Sequence, residues 1–189
     1  MKPQNIRTVP YRRKREGRTN YKKRLKLLQS GKPRLVVRKS LKGVYATLVE
    51  YSEKGDKILA AASAADLKKL GWTFNAGNLP SAYLVGLILG TKAKKGNVNV
   101  AILDIGLYSP VKKSRLYATL AGVLDAGVHV PHSDEVLPQK DRIEGKHIAT
   151  WAAKADGSLN QFSSYRKNNN PNIITSAFQE VKAKILRGG

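Results

Sequence analysis

Asn97-Val98-Asn99-Val100-Ala101-Ile102-Leu103-Asp104-Ile105 has the composition of a strand. Val98 and the run Val100 to Leu103 are almost continuously apolar, the pattern of a central strand covered on both faces. On either side the periodicity becomes helical. Upstream, Gly77-Asn78-Leu79-Pro80 puts a proline near a first helical turn, and a helix is predicted from Ser81 to Lys94. Leu84, Val85, Leu87, Ile88 and Leu89 make it apolar nearly all round, so it is expected to be buried. Gly86 and Gly90, four residues apart, permit close approach of another backbone, and the run is too short for a membrane pair. Downstream, Gly106 to Lys113 is a loop and Ser114 to Ala126 a helix. Leu116, Leu120, Val123 and Leu124 face inward there, and Gly127 closes the helix. Val128 to Val130 continues as a short strand. This alternation of helix and strand predicts an α/β layer with some parallel pairing.

The preceding segment predicts three more strands: Arg34 to Lys39, Val44 to Tyr51 and Lys57 to Ala62. The turns Ser40 to Gly43 and Ser52 to Asp56 are short, which implies an antiparallel meander and hence a mixed sheet. In the second strand Val44, Ala46 and Leu48 share one face, and Tyr45, Thr47, Val49 and Tyr51 the other. Asp66 to Leu70 is a short helix closed by Gly71. Trp72 and Phe74 are expected to be packing anchors. Toward the C-terminus Pro131 to Pro138 is a loop and Asp141 to Lys154 a helix. Asp156 to Asn172, rich in Ser and Asn, is a loop or a segment ordered by a partner. Ile173 to Arg187 is an amphipathic helix with Ile174, Ala177, Phe178, Val181 and Ile185 on one side.

The chain has 189 residues, 41 % of them hydrophobic, which suits one domain with a real core and room for a second small module. It is too apolar to be wholly disordered and too short for a full α/β barrel. The absence of Cys excludes a disulfide scaffold, a thiolate metal site and a Cys nucleophile. The longest apolar run, Ala82 to Gly90, cannot span a membrane. Met1 leads into Lys2, Pro3 and Gln4 with no apolar stretch, so no secretory signal is expected. What remains is a soluble intracellular protein.

Its 35 Lys and Arg stand against 13 Asp and Glu, for a net charge of +22. Residues 1–42 hold sixteen basic groups and one acid, Glu16, whereas residues 43–150 are close to balanced. Arg12-Arg13-Lys14-Arg15 and Arg18 repel one another and bury almost nothing, so the arm is expected to be extended unless a polyanion neutralises it. A nucleic-acid backbone would do so, driven by counterion release. An acidic membrane fits poorly, because the arm lacks the aromatic and Leu face of an interfacial helix. Thr19 is placed to cap a helix from about Asn20 to Gln29, with Tyr21, Leu25 and Leu28 as its docking stripe and Lys22, Lys23 and Lys26 pointing outward. Arg34, Arg38 and Lys39 on the first strand mark a sheet face or edge that meets something anionic.

Catalytic patterns are weak. Asp104, Asp125, Asp134 and Asp141 are the residue type that holds Mg²⁺ in a nuclease, yet the bland reading is better, with Asp125 capping or pairing near a helix end and Asp134-Glu135 opening a loop or helix. His129, His132 and His147 lack ligand spacing on fixed elements. Neighbours such as His132-Ser133-Asp134 cannot form a triad. Gly145-Lys146-His147 lacks the upstream Gly and the Ser/Thr of a P-loop.

Five segments carry a resemblance: Tyr11 to Tyr21 followed by a Lys/Leu helix, Pro33 to Ser40, Gly77 to Leu84, Leu103 to Leu107, and Leu124 to Ser133. Within them Gly77-Asn78-Leu79-Pro80 and Asp125-Ala126-Gly127 with Pro131-His132-Ser133 are the most specific. In order, and over essentially the whole chain, they resemble the archaeal form of the large-subunit ribosomal protein eighteen family, whose eukaryotic counterpart is large-subunit protein five. Leu41 stands where family members often carry Asn.

The resemblance implies a non-enzymatic constituent of the large ribosomal subunit, cytoplasmic, without cofactor, membrane or small-molecule substrate. It would bind 5S rRNA and help attach it to 23S rRNA in the central protuberance, beside neighbouring large-subunit ribosomal proteins. The implied fold is α/β, the mixed sheet with packed helices of translational-machinery components, related to the ribonuclease-H motif in architecture alone. The expected organisation is a basic N-terminal arm (1–18), an α/β core that binds 5S rRNA (19–131) and a C-terminal helical extension (132–189). The implied RNA contacts are Tyr11, Arg12, Arg13, Lys14, Arg15 and Arg18 of the arm, Lys22, Lys23 and Lys26 of the first long helix, Arg34, Arg38 and Lys39 of the first strand, and Lys112, Lys113 and Arg115 at the start of the Ser114 helix. The rival readings are a generic RNA chaperone and a divalent-metal nuclease using Asp104 and Asp125.

Overall fold

Three strands form the expected meander: β1 (Arg34–Lys39), β2 (Val44–Glu50) and β3 (Lys57–Ser63). The chain is described by a computed structural model over residues 9–154 and 170–188. β1 and β2 pair antiparallel, as do β2 and β3, while β4 (Ile102–Asp104) pairs parallel with β1. The order β3-β2-β1-β4 makes an open mixed sheet with helices packed on it, the α/β class expected from the sequence.

The apolar run from Val98 is not one long central strand. Its last part is β4, three residues at the sheet edge. Its first part turns to the chain after the second long helix, where Val100 bridges His129 in parallel. There the Ala101 N–H donates to His129 O at 3.0 Å and the His129 N–H to Asn99 O at 2.8 Å. The run is apolar because it changes partners between two neighbours. Val128 to Val130 accordingly contributes a single bridge instead of a strand.

The sheet face carrying Leu35, Val37, Val44, Ala46 and Leu48 is buried under α4 (Leu79–Lys95) and α5 (Arg115–Asp125). Thr47 and Val49, on the opposite face, are also buried, so β2 does not show the clean alternation of a one-sided strand. α4 begins where Asn78 Oδ1 accepts the Ser81 N–H at 2.9 Å. It is buried without a break from Leu79 to Gly90, as its apolar circumference requires. α3 (Ala64–Lys69) starts two residues before the predicted Asp66, because Asp66 reaches back to the Ser63 N–H in a capping box. Trp72 and Phe74 pack in the core with ring centroids 5.3 Å apart.

α4 and α5 cross with no side chain between them. A methyl at Gly86 would collide with the Thr119 carbonyl oxygen, and one at Gly122 with the Tyr83 carbonyl oxygen. Near the crossing the Tyr83 hydroxyl donates to Asp125 at 2.6 Å. Burial first, and then the Asp125 carboxylate, holds that hydroxyl's pKa well above its ordinary value.

The single helix expected over 141–154 is two, α6 (Lys140–Ile143) and α7 (Lys146–Lys154), broken at Gly145 with φ +83°. The bend lets Gly145 lie against Pro80 and Ile174, at 3.1 and 3.3 Å from an added methyl. The last helix, α8 (Ile174–Arg187), sends Ile174, Phe178, Val181 and Ile185 into the same apolar cluster as α4, and the Phe178 and Tyr83 rings are 5.5 Å apart. Of the predicted loop over 156–172, positions 156–169 lie outside the described residues. Among the described residues no helix is long and apolar enough to cross a membrane.

Gly86→Ala is expected to destabilise the protein by about 3 kcal/mol, since neither helix axis can give way without opening the core. Gly96→Ala, where an added methyl meets nothing closer than 3.4 Å, is expected to change stability by about 0.5 kcal/mol or less. Urea denaturation of both variants measures the contrast.

Candidate nucleic-acid interface

The arm is described from residue 9, and that part departs from the extended form expected for its charge; residues 1–8 lie outside the described residues. Arg12–Arg15 makes one helical turn, α1, with no buried residue. Glu16, the single acid of the first 42 residues, gathers Arg12 at 2.7 Å and Arg18 at 3.2 Å. The Arg13 Nε–H donates to Thr19 Oγ1 at 2.8 Å, and Gly17 at φ +63° reverses the chain. Local pairing with one carboxylate thus offsets part of the repulsion. Because Thr19 is occupied by Arg13, the cap of α2 (Tyr21–Leu28) is Asn20, whose Oδ1 accepts the Lys23 N–H at 3.0 Å.

α2 docks differently from its predicted stripe. Leu25 is exposed, whereas Leu27 and Leu28 are half-buried and Leu27 lines a cleft against the sheet. Tyr21 rests on Tyr11 with ring centroids 5.2 Å apart, and Tyr11 itself is 73 % exposed. Lys22, Lys23 and Lys26 are exposed as expected, and the Lys23 ammonium also donates to Gly106 O at 3.1 Å.

Beneath α2 runs an alternating chain of ion pairs. Arg24 donates to both oxygens of Asp56, at 3.1 and 2.9 Å. Arg34 donates to Asp56 at 2.6 Å and to Asp104 at 3.0 Å. Arg38 donates to Asp104 Oδ1 at 3.3 Å and to the Asp104 carbonyl at 2.8 Å. The Gly106 N–H completes the Asp104 carboxylate at 2.8 Å. The Arg34 side chain is 5 % exposed, so it ties β1 to β4 and does not present its charge outward. Arg38 is partly open.

Above this chain lies a cleft of about 380 Å³, walled by Arg13 and Arg18 of the arm, Lys23 and Arg24 of α2, and Arg38 and Tyr108 of the sheet edge. The cleft brings together part of the arm, α2 and β1, elements that the sequence marked separately. Arg12, Lys14 and Arg15 are exposed on α1 but do not line it. Lys112, Lys113 and Arg115 form a second group at the start of α5. Lys112 pairs with Glu135 at 2.6 Å, and Lys113 holds φ +59° with its N–H donated to Val136 O at 2.9 Å. Arg115 is spent on Ser40 O at 3.1 Å and Gly77 O at 2.9 Å. Lys39 stands between the two groups, its ammonium 5.2 Å from the Tyr108 ring centroid.

Two structural participants had no signal in local sequence. Arg24 and Asp56 are unremarkable as a helix Arg and a turn Asp, and only tertiary pairing joins them. Asp104, one of the acids considered for metal binding, has its oxygens committed to Arg34, Arg38 and Gly106. Asp125 accepts from Tyr83 instead. Among the described residues no three His, Asp or Glu gather to hold a cation. His132 Nδ1 lies 2.7 Å from Val130 O. Burial, and then the charge of Arg142, lowers the pKa of His147 from its ordinary value.

A family model described as "Ribosomal large subunit proteins 60S L5, and 50S L18" matches residues 7–99, from within the arm through α2, the meander and α4. Over 181 residues the chain is 49 % identical to large ribosomal subunit protein uL18 of Korarchaeum cryptofilum, covering 94 % of this chain and 93 % of the relative. The chain belongs to the uL18 family. As a uL18-family protein it is a structural constituent of the large ribosomal subunit, found with the ribosome in the cytoplasm, and its partners are ribosomal RNA and ribosomal proteins. The likeness covers 94 % of the chain, far more than the basic arm, so it is not confined to charge.

Asp104→Asn is expected to cost about 3 kcal/mol, because it leaves the buried Arg34 guanidinium with one carboxylate where it had two. Arg34→Met combined with Asp104→Leu is expected to recover most of that loss. Thermal or urea unfolding of the single and double variants measures the difference.

Proposed function

We propose that this protein binds 5S rRNA and helps fasten it to 23S rRNA in the central protuberance of the large subunit. The observation that carries the reading is the cation-walled cleft between arm, α2 and sheet edge. Guanidinium forks at Arg13, Arg18 and Arg38 suit phosphate oxygens. Arg34, already paired to Asp104 and Asp56, floors the cleft, Asp104 also holds Arg38, and Thr19 and Glu16 hold Arg13 and Arg18. Arg12, Lys14, Arg15, Lys22 and Lys26 then supply the outer field, and Tyr11, tilted against Tyr21, offers an open aromatic face to an unpaired base. Lys39, Lys112 and Lys113 extend the field around the far end of β1.

In this reading the arm (1–18) and core (19–131) hold the RNA, and the extension (132–189) meets neighbouring RNA and proteins of the protuberance. Recognition is mainly of RNA shape and loops, since an A-form major groove is too narrow for side chains to read. The reaction chemistry of a nuclease has no part in it, and neither does a cofactor or a small-molecule substrate.

The test is a binding titration against 5S rRNA with transfer RNA as competitor at near-physiological salt. A preference of about a hundredfold, about 2.7 kcal/mol, is the expected outcome. Equal competition would reduce the protein to a generic polycation and favour the chaperone reading. Deleting residues 1–18 is expected to weaken 5S rRNA binding and flatten its salt dependence while the circular-dichroism spectrum of the core persists. Unchanged affinity and slope would remove the arm from the interface.

A further inference from the structure

The turn between β1 and β2 carries Leu41 at its tip, 94 % exposed, the most exposed large hydrophobic side chain among the described residues. The turn is rigid. The Ser40 N–H and hydroxyl donate to Gly43 O at 2.8 and 3.2 Å. The Arg115 guanidinium braces Ser40 O and Gly77 O from α5. Gly77 lies so close beneath that a methyl there would be 2.6 Å from the Leu41 carbonyl oxygen. On the other side the Tyr108 hydroxyl donates to Lys39 O at 2.7 Å.

A single exposed Leu ordinarily needs no explanation. This one occupies a turn position that favours Gly, Asn, Asp or Ser, and lysines flank it in the chain. Lys42 follows it, Lys39 closes the strand, and Lys112 and Lys113 sit in the loop that leads to Arg115. Among the described residues Glu135, held by Lys112, is the one acid paired with any of these four lysines. α4 and α5 both begin directly behind the turn, so their N-terminal dipoles add to the positive potential. An apolar tip beside two helix N-termini and flanked in sequence by lysines matches a nucleic acid, which offers a flat base face with phosphates on either side. A protein partner would have to supply both an apolar socket and an acidic rim.

We propose that Leu41 is an apolar wedge that docks on an unstacked base of the bound RNA, while Lys39, Lys42 and Lys113 take the flanking phosphates. The inference rests on the RNA-binding reading above and adds a base contact beyond the end of β1 remote from Arg34. Because the turn is already fixed, covering Leu41 orders little that was free, and the contact is gained at small entropic cost.

The test uses the full chain, a 5S rRNA transcript and a salt series, with variants Leu41→Asn and Leu41→Met. Asn is accepted in such turns, and circular dichroism checks that the fold is kept. Leu41→Asn is expected to weaken binding about tenfold at every salt concentration with no change in the salt slope, and Leu41→Met to bind nearly as the parent does. Lys42→Ala with Lys113→Ala is expected to flatten the slope instead. Parent-like binding by Leu41→Asn would overturn the wedge, leaving Leu41 for a protein neighbour, and so would a loss accompanied by a changed slope. A parent chain that shows no preference for 5S rRNA over transfer RNA fails the reading of function itself, an outcome separate from an indifferent Leu41.

Discussion

The core is arranged around the crossing of α4 and α5, where Gly86 and Gly122 let backbone meet backbone. α4 is buried along most of its length because it touches the sheet, α5, α3, α6 and α8 at once. A spacing set by side chains would lift α5 off β1 and α4 off β2 and β3. The N-termini of both helices would then leave the β1–β2 turn, where Arg115 joins Ser40 to Gly77. The positions of the functional surfaces therefore follow from a contact that contains no functional residue.

The second organising fact is how sparingly the acids are used. Glu16 gathers the arm, Asp56 joins α2 to β1, and Asp104 joins β1 to β4. Each carboxylate faces two arginines, so these sites stay net positive. The same contacts that hold the elements together leave an excess of guanidinium facing the cleft. A free chain of this charge would expand; Glu16 gathers the arm on itself, while Asp56 and Asp104 tie α2 and β4 to β1 and leave an excess of positive charge for a polyanion.

Much of the candidate interface was legible in advance. The described residues of the arm, the outward lysines of α2 and the lysines before α5 are exposed as the charge pattern predicts. Arg34 was not legible: an Arg at a strand start has the same local sequence whether it faces phosphate or Asp104. The cap of α2 was off by one residue because Arg13 competes for Thr19. The apolar run from Val98 pointed to a central strand, since burial by two different partners leaves the same local pattern as burial within one sheet.

The sequence by itself determined the α/β class, the antiparallel meander, the burial of α4, the close helix approach through glycine and the concentration of charge near the N-terminus. These are local properties, governed by periodicity, turn chemistry and side-chain size over a few residues. Only the tertiary structure decided that β4 lies at the edge beside β1, that Arg34 and Asp104 meet across 70 positions of chain, and that arm, α2 and β1 enclose one cleft. Those outcomes depend on parallel register and on competition among many arginines for few carboxylates. Such competition is settled by which partners the folded core brings within hydrogen-bonding distance, and no local pattern encodes it.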